Sequence, residues 1–138
     1  MPEEQWSDPE QWAWQEISAG RVADFNLRDG HELDPKIPDG WNEGRKLRSK
    51  FLKEMLFREP YRSAIPVEGV RIIGAWFPDP VDLASGWLDQ QLWLAKCRFV
   101  REAYLTGLRG GGGISLVGSA FAAEQCVSLN LRAAEIGG

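Results

Sequence analysis

Few residues of this chain have the types and spacing that catalysis requires. His31 is the one histidine and stands among turn-forming residues, with no second ligand at metal-binding spacing. The run from Gly110 to Gly113 lacks the Gly-Lys-Ser/Thr of a phosphate-binding loop and has no G-x-G-x-x-G context. Gly118 and Ser119 do not form the G-x-S-x-G pattern of a nucleophilic serine. The sequence therefore predicts a non-enzymatic protein without a metal or a cofactor.

Carboxylates and thiols are the remaining candidates for chemistry. An enzyme of the parallel β-helix type that acts on carbohydrate would need a carboxylate cluster on one face, and four acidic residues would have to meet there: Asp79, Asp82, Asp89 and Glu102. Cys97 and Cys126 are widely spaced, and we expect buried, reduced thiols, which favours a cytoplasmic protein. The first ten residues show no signal peptide, and no apolar run has the length of a membrane span.

Charge is distributed unevenly along the 138 residues, whose net charge is −4. Residues 1–41 carry ten acidic and three basic side chains, residues 42–69 carry four and seven, and residues 70–138 carry six and six. This distribution does not provide the extended basic surface that nucleic-acid binding needs. The sequence therefore does not favour a nucleic acid as the partner.

The second half of the chain repeats a pattern of eleven residues. Rows begin at Val70, Val81, Leu92, Ala103 and Ile114, and a sixth row begins at Leu129 after a four-residue insertion. The first, third, sixth and eighth positions of the rows are hydrophobic at 21 of 24 sites, against 10 of 24 for the four interleaved positions. Because side chains two residues apart point to the same side of a strand, each row predicts two short strands and two corners around an apolar interior.

A chain that turns two corners in every row coils, and a fixed period is typical of a solenoid. Two rows, about 22 residues, would close one four-sided coil. We therefore predict a mainly β solenoid of about three coils over residues 70–138, preceded by a helical and irregular cap region over residues 1–69. Rows 1, 3 and 5 would pair with one another, and so would rows 2, 4 and 6.

The rows resemble pentapeptide repeats. In most rows a small residue at the sixth position is followed two positions later by Phe, Leu or Ile, as in Ala75-x-Phe77 and Cys97-x-Phe99. The chain departs from the family in its extra residue per row and in having Asp or Asn between the inward sites only at Asp82 and Asn130. It is identified as a divergent pentapeptide-repeat-like protein, similar to the start of longer bacterial proteins. The resemblance implies that the predicted solenoid is a right-handed four-sided β-helix.

Two helices are expected before the repeats. Ser7 and Glu10 form a possible capping box, and Gly20 is a plausible end for the helix that follows. A second helix would start after Asp39 or Asn42 and end near Arg58, with an apolar stripe of Leu47, Phe51, Leu52, Met55 and Leu56.

We expect the stripe of the second helix to cover the apolar end of the first coil. The remaining surface of this helix carries four basic residues, which we assign to a solvated side that could attract the acidic N-terminal segment: Arg45, Arg48, Lys50 and Lys53. A helix that binds a membrane surface or a partner is the alternative.

Aromatic and basic residues at outward positions form the candidate binding surface: Trp76, Trp87, Trp93, Arg98, Tyr104 and Arg109. The coil places Trp76 beside Arg98 and Trp87 beside Arg109 at about one strand spacing, ~4.8 Å, close enough for cation–π contacts. Two interpretations stay open at this point. Either the N-terminal segment packs over these side chains, or they contact a partner.

The sequence favours a non-enzymatic binding or scaffold protein that acts through the outer faces or the open end of a short β-helix. Its partner would be another protein, or a second copy that stacks on the C-terminal coil, because the last row reaches Ile136 and no helix or charged tail follows to cover the coil. The alternative is that the chain is the leading piece of a longer solenoid. No membrane partner is expected. Two alternatives remain, a carbohydrate-acting β-helix enzyme and a DNA-mimicking modulator of a type II topoisomerase, which the resemblance implies. Mimicry needs rows of outward acids, and the outward sites hold only Asp82 and Glu135.

Overall fold

The computed structural model describes residues 6–105, 108–110, 113–121 and 127–128. Its helices are α1 (Asp8–Ser18), α2 (Phe25–Asp29), α3 (Ser49–Phe57) and α4 (Tyr61–Ala64), with a short 3-10 helix at Glu43–Arg45. Its strands are β1 (Ala23–Asp24), β2 (Val70–Ile73), β3 (Trp76–Phe77), β4 (Val81–Asp82), β5 (Trp87–Leu88), β6 (Leu92–Ala95), β7 (Arg98–Phe99), β8 (Ala103–Tyr104), β9 (Arg109–Gly110), β10 (Ile114–Ser115), β11 (Ala120–Phe121) and β12 (Val127–Ser128).

The first helix forms as its sequence predicts. The Ser7 side chain accepts a hydrogen bond from the backbone N–H of Glu10, and the Glu10 side chain accepts one from the backbone N–H of Ser7. This capping box satisfies two backbone N–H groups at the start of α1. Gly20, at φ +80°, lies directly after the C-cap residue Ala19. Ala13, Trp14 and Ile17 are buried, so α1 packs its apolar side into the protein.

Parallel pairing joins the strands into four small sheets within the described residues, at an offset of 22 residues except for β1 with β2, at 49, and β8 with β12, at 24. In strand order, sheet 1 is β1-β2-β6-β10, sheet 2 is β3-β7-β11, sheet 3 is β4-β8-β12 and sheet 4 is β5-β9. Val70 pairs with Leu92, and Leu92 pairs with Ile114. The predicted pairing of rows 1, 3 and 5 is therefore confirmed. Row 2 likewise pairs with row 4, through Val81 with Ala103 and Leu88 with Gly110.

The predicted fold class, a mainly β right-handed four-sided β-helix solenoid with a helical cap, is wrong. The protein is mixed α/β, 29% helical and 23% strand, and its short strands form small parallel sheets in which no solenoid is detected. Most strands are only two residues long, and the N-terminal region contributes β1 to sheet 1, where Ala23 pairs with Ile72. The repeat period predicted which strands pair, but it could not show how much of the structure is helical.

One hydrophobic core joins the helices to the sheets. The predicted inward positions are at most 6% exposed wherever they carry a described aliphatic, aromatic or cysteine side chain: Val70, Ile72, Ala75, Phe77, Val81, Leu83, Leu88, Leu92, Leu94, Cys97, Phe99, Ala103, Leu105, Leu108, Ile114 and Leu116. The rings of Phe77 and Phe99 stack at 4.8 Å between centroids. This part of the sequence interpretation is confirmed. The predicted start of row 6 at Leu129 is wrong, because Val127–Ser128, inside the predicted insertion, pair with Ala103–Tyr104 of row 4. The inward positions predicted from Leu129 onward lie outside the described residues.

The second helix begins later than predicted. Asn42 caps only the 3-10 helix Glu43–Arg45, and α3 begins at Ser49. Between these helices the chain is extended, because Lys46 bridges to Trp76 and the backbone N–H of Leu47 donates to the Trp76 carbonyl at 3.0 Å. The apolar stripe is buried as expected, at 3% exposure or less: Leu47, Phe51, Leu52, Met55 and Leu56. Since these side chains fill the core, the stripe is not free to enter a membrane surface.

The sequence predicted that Arg45 lies on the solvated side of a helix, but in the structure Arg45 is fully buried. Its Nε donates to Asp29 Oδ2 at 2.7 Å, and its Nη1 donates to Asn26 Oδ1 at 2.6 Å. Nη1 also reaches the Gly74 carbonyl at 3.2 Å, and Nη2 donates to the His31 carbonyl at 2.9 Å. One guanidinium thus ties the irregular segment around residues 26–31 to the corner between β2 and β3.

Gly86 allows α3 to lie against sheet 4. A Cβ atom built on Gly86 would overlap the ring of Phe57, the last residue of α3. Replacing Gly86 with alanine is therefore expected to lower the free energy of unfolding by about 1–3 kcal/mol, the usual cost of overpacking. Removing the ring in the double variant Gly86→Ala/Phe57→Ala should make the combined loss smaller than the sum of the single losses.

Urea unfolding of the four members of this double-mutant cycle measures the coupling. Gly113→Ala is the matched control, since a Cβ there meets nothing within 4 Å. Strictly additive losses at Gly86 and Phe57 would contradict the contact.

Candidate functional site

The outward residues meet in the pairs that the sequence predicted. Trp76 lies beside Arg98 in sheet 2, and Trp87 lies beside Arg109 in sheet 4. Two further sets of outward neighbours follow from the same register, and these are Asp82 with Tyr104, and Arg71 with Trp93 and Ser115. The six predicted binding residues therefore lie on all four sheets.

The N-terminal segment covers the outward pair of sheet 2. Arg98 Nη1 donates to the Pro35 carbonyl at 2.7 Å, and the backbone of Leu47 binds that of Trp76. Trp76 and Arg98 are accordingly only partly exposed. The cation–π contacts among the described residues are Arg28 over Trp12 and Arg45 over Trp41, so neither predicted Trp–Arg pair forms one. Both Trp–Arg pairs have the predicted strand register, but the guanidinium of Arg98 donates to the Pro35 carbonyl and forms no cation–π contact with the Trp76 ring.

Trp93 is also partly covered. It lies between Arg71 and Ser115 in sheet 1, and it is half-buried. Arg71 Nη2 donates to the Gly20 carbonyl at 2.9 Å, so the turn after α1 reaches this sheet. Sheets 1 and 2 thus follow the interpretation in which the N-terminal segment packs over the outward side chains.

Sheets 3 and 4 keep an open surface. Trp87 is 54% exposed and Tyr104 is 43% exposed, which are large fractions for such side chains. Their strand neighbours, Arg109 and Asp82, are also exposed. We call these four residues the aromatic face. It contains three of the six predicted site residues, and Asp82 is the addition.

Asp89, two residues after Trp87, is bound by Arg62, and it was not predicted as a binding residue. Arg62 of α4 donates to the Asp89 carboxylate through Nε at 2.8 Å and Nη2 at 3.1 Å. These bonds, with a smaller contribution from a hydrogen bond with the Trp87 side chain, hold the pKa of Asp89 below its usual value. A fork-to-fork pair of this kind fixes two planar groups relative to each other, so it ties α4 to the corner after β5.

The groups that could do chemistry are separated or blocked. Burial raises the pKa of the Cys97 thiol to about 12, so the nucleophilic thiolate is scarce at neutral pH. Ser119 Oγ donates to the Leu94 carbonyl and accepts from the Cys97 N–H. His31 is exposed, as expected. Within the described residues, no three His, Cys, Asp or Glu side chains meet in a group that could hold a metal ion.

The four acidic residues of the carbohydrate-enzyme alternative have separate surroundings. Asp89 pairs with Arg62, and Glu102 pairs with its neighbour Arg101 at 3.3 Å. Asp82 Oδ1 accepts the backbone N–H of Ala84. Asp79 is exposed in the corner between β3 and β4. Nothing in this arrangement pairs two carboxylates for acid–base work.

Other expectations fall outside the described part of the chain. Cys126, Glu135 and the C-terminal row from Leu129 are not described, so self-association through that row stays a prediction. No helix within residues 6–105, 108–110, 113–121 and 127–128 has the length and apolar character that a membrane span needs. The resemblance to pentapeptide repeats also stays a prediction, since comparison of this chain with protein-family models, with curated proteins and with solved structures found no match.

Proposed function

We propose that this chain is a non-enzymatic binding protein whose aromatic face contacts a protein partner. The observation that carries the proposal is the exposure of Trp87 beside Arg109 and of Tyr104 beside Asp82, on sheets 3 and 4, where these side chains stay exposed although α3 contacts both sheets. Trp, Tyr and Arg are the residue types that dominate the binding energy of protein interfaces. The cytoplasm is the proposed compartment, supported by the buried, free Cys97.

The fold leaves apolar surface of Trp87 and Tyr104 in contact with water. An aromatic side chain can bury about 150–250 Å², and burial contributes roughly 25 cal/mol per Å². Trp87 and Tyr104 together therefore leave unused a contribution of a few kcal/mol that a partner surface would recover. Asp82 and Arg109 carry opposite charges beside them, which favours a partner with complementary polar groups at its rim.

The aromatic face is also preorganised. Parallel pairing sets the spacing of the outward residues within each sheet, and the Arg62–Asp89 pair ties α4 to the corner after β5. A surface whose side chains are already held loses less conformational entropy on binding.

The two alternative functions, DNA mimicry and a carbohydrate-acting enzyme, lack comparable support. In rows 1 to 5 the second and seventh positions hold one carboxylate, Asp82, where DNA mimicry needs rows of carboxylates, and the acids of the carbohydrate-enzyme alternative form no carboxylate pair.

Site-specific photo-crosslinking in the native cell tests this proposal. A benzophenone side chain at position 87 or 104 is expected to give a discrete protein adduct, because both positions are exposed in the proposed interface. The matched control carries the same group at Leu27, which is 80% exposed on α2 and lies outside the aromatic face. With the partner purified, Trp87→Ala should weaken its affinity roughly thirtyfold, the effect of losing about 2 kcal/mol at a hot spot.

The control substitution for the affinity measurement is Leu27→Ala, which should leave the binding constant unchanged. Adducts at positions 87 and 104 no stronger than at position 27 would overturn the proposal. An unchanged affinity of the Trp87→Ala variant would do the same.

A further inference from the structure

A basic groove lies along the exposed side of α3, next to the aromatic face. It is open to solvent, has a volume of about 750 Å³, and is lined by Ser49, Lys50, Lys53, Glu54, Phe57 and Arg58. The apolar stripe of α3 faces the core, so the groove uses the polar side of the same helix. Phe57 is half-buried against Gly86 and gives the groove one apolar surface. We call this set of six residues the basic groove.

The charge of the basic groove is strongly one-sided. Three of its six side chains are cationic, and its single carboxylate, Glu54, is only 9% exposed. Glu54 Oε1 already accepts a hydrogen bond from the indole N–H of Trp6 at 3.0 Å. Lys53 and Arg58 are exposed and form no ion pair with any residue that the structure describes. The groove therefore presents positive charge on a protein whose net charge is −4.

We propose that the basic groove binds an extended acidic segment of a partner protein. Lys53 lies on α3, and Arg58 follows the last helical residue in an extended conformation, and both side chains line the same groove. Alternate side chains of an extended strand lie on one side, so two carboxylates in a Glu-x-Glu pattern can face the groove together. The two carboxylates pair with Lys53 and Arg58, and an apolar side chain of the segment rests on Phe57. Lys50 adds to the field that attracts the segment.

A nucleic acid fits the basic groove less well than an acidic peptide. Three cations neutralise few phosphates, whereas stable non-specific binding uses an extended basic track. The aromatic side chain available for base stacking, Phe57, is occupied in part by its contact with Gly86. The apolar residues that a membrane-bound helix would insert are buried in the core. Charge complementarity with some apolar contact therefore favours a protein segment.

The inference goes beyond the proposed function, because it concerns a second surface with its own chemistry. The two surfaces adjoin, since the backbone N–H of Asp82 donates to Ser49 Oγ at 3.1 Å. One partner can reach both, yet either surface can fail without the other. A loss of crosslinking at positions 87 and 104 refutes the aromatic face, while the basic groove is tested on the purified chain with a synthetic probe.

Fluorescence anisotropy with the full chain gives the test. The probe is a labelled eight-residue peptide of alternating glutamate and leucine, and its reference is the same peptide with glutamine in place of glutamate. At physiological ionic strength the acidic peptide is expected to bind and the glutamine peptide to bind at least about tenfold more weakly. The double variant Lys53→Glu/Arg58→Glu should lower the affinity for the acidic peptide by about tenfold or more.

The control variant Lys36→Glu/Arg101→Glu changes the net charge equally at two exposed positions outside the groove. It should stay within about twofold of the parent affinity, because exposed charges at a distance are screened by salt. Thermal unfolding of both variants confirms that they are folded, and Lys53→Gln/Arg58→Gln should show a smaller loss in the same direction.

Four results would overturn the proposal. The first is an equal loss of affinity in the control variant, and the second is equal binding of the glutamine peptide. The third is tighter binding of a labelled single-stranded oligonucleotide than of the acidic peptide at the same ionic strength. The fourth is an increase of about tenfold or more in the affinity of the Glu3→Gln/Glu4→Gln variant for the acidic peptide. That result would mean that the groove binds this chain's own acidic residues.

Discussion

Replacing Arg45 with methionine is expected to lower the free energy of unfolding by about 3–5 kcal/mol, the usual effect of removing one partner from a buried, hydrogen-bonded charge pair. Methionine has a similar length and no donors. It leaves the Asp29 carboxylate without its partner at 2.7 Å, and it leaves the Gly74 and His31 carbonyls without the guanidinium that they share. Because most domains are stable by only about 5–15 kcal/mol, the change should be visible in any unfolding experiment.

The geometry around Arg45 explains why the loss should be large. The corner residue Gly74 has φ +73°, and a Cβ there would lie 2.7 Å from Asn26 Oδ1 and 3.1 Å from Arg45 Nη1. The glycine therefore makes room for the guanidinium and for the amide that accepts from it. Lysine at position 45 keeps the charge but cannot reproduce a planar fork that binds several acceptors, so Arg45→Lys should recover only part of the stability.

Urea or guanidinium unfolding, followed by tryptophan fluorescence, measures this effect. Arg21→Met is the matched control, since Arg21 forms a surface ion pair with Glu16 and its side chain is 61% exposed. We expect no measurable change for that variant. Equal unfolding midpoints for Arg45→Met and the parent protein would show that the buried guanidinium contributes nothing to stability.

Local signals in the sequence predicted several parts of the structure correctly. The capping box at Ser7 and Glu10 gave the start of α1, because the hydrogen bonds involved span only three residues. The eleven-residue period gave the pairing offset and the buried positions, because alternation along a strand decides which side chains face the core. The capping box and the eleven-residue period both involve residues that are close in the chain or repeat regularly.

The features that the sequence did not predict depend on contacts between distant segments. The acceptors of Arg45 lie 14 to 29 residues away along the chain, in irregular segments without a periodic pattern. An arginine on an expected helix is normally solvated, so its burial carried no local signal. The later start of α3 has the same origin, since Lys46 and Leu47 pair with the edge of sheet 2.

The candidate site was predicted in part for the same reason. The outward positions and their Trp–Arg neighbours followed from the repeat, whereas the covering of Trp76 and Arg98 by residues 35–47 did not. The predicted fold class was wrong because residues 1–69 are not only a cap. This region contributes β1 and the helices that share the core. Pattern predicts which residues lie inside, and long-range contacts decide which outer surfaces stay open.

Glu10→Gln is expected to lower the free energy of unfolding by about 2–3 kcal/mol, the loss for charge-assisted hydrogen bonds to a buried carboxylate. The Glu10 side chain is fully buried and binds Arg48 through its Nε, Nη2 and backbone N–H, at 2.7–3.2 Å. Arg48 is the N-cap residue of α3. The carboxylate therefore joins the first turn of α1 to the start of α3, where a negative charge is favourable. Glutamine keeps the shape but not the charge.

The same carboxylate gives stability a pH dependence with a definite sign. Burial by itself raises the pKa of Glu10, but the hydrogen bonds from Arg48 and from the backbone N–H of Ser7 outweigh it, so the pKa lies below the usual value of 4.5. A group whose pKa is lower in the folded state binds its proton more readily in the unfolded chain. Its contribution is therefore complete above that usual value and is lost as the pH falls through the lower pKa of the folded protein.

Unfolding measured from neutral pH down into the acid range separates this contribution from the other carboxylates. The parent protein should lose stability more steeply below pH 4.5, the usual value for the group, than the Glu10→Gln variant, and the two curves should converge as Glu10 becomes protonated. Glu16→Gln is the surface control: the hydrogen bond from Arg21 also lowers the pKa of Glu16, but water and salt screen this pair, so the midpoint and the slope should change much less than for Glu10→Gln. Parallel curves for the parent and Glu10→Gln across this range would show that the carboxylate is not what joins α1 to α3.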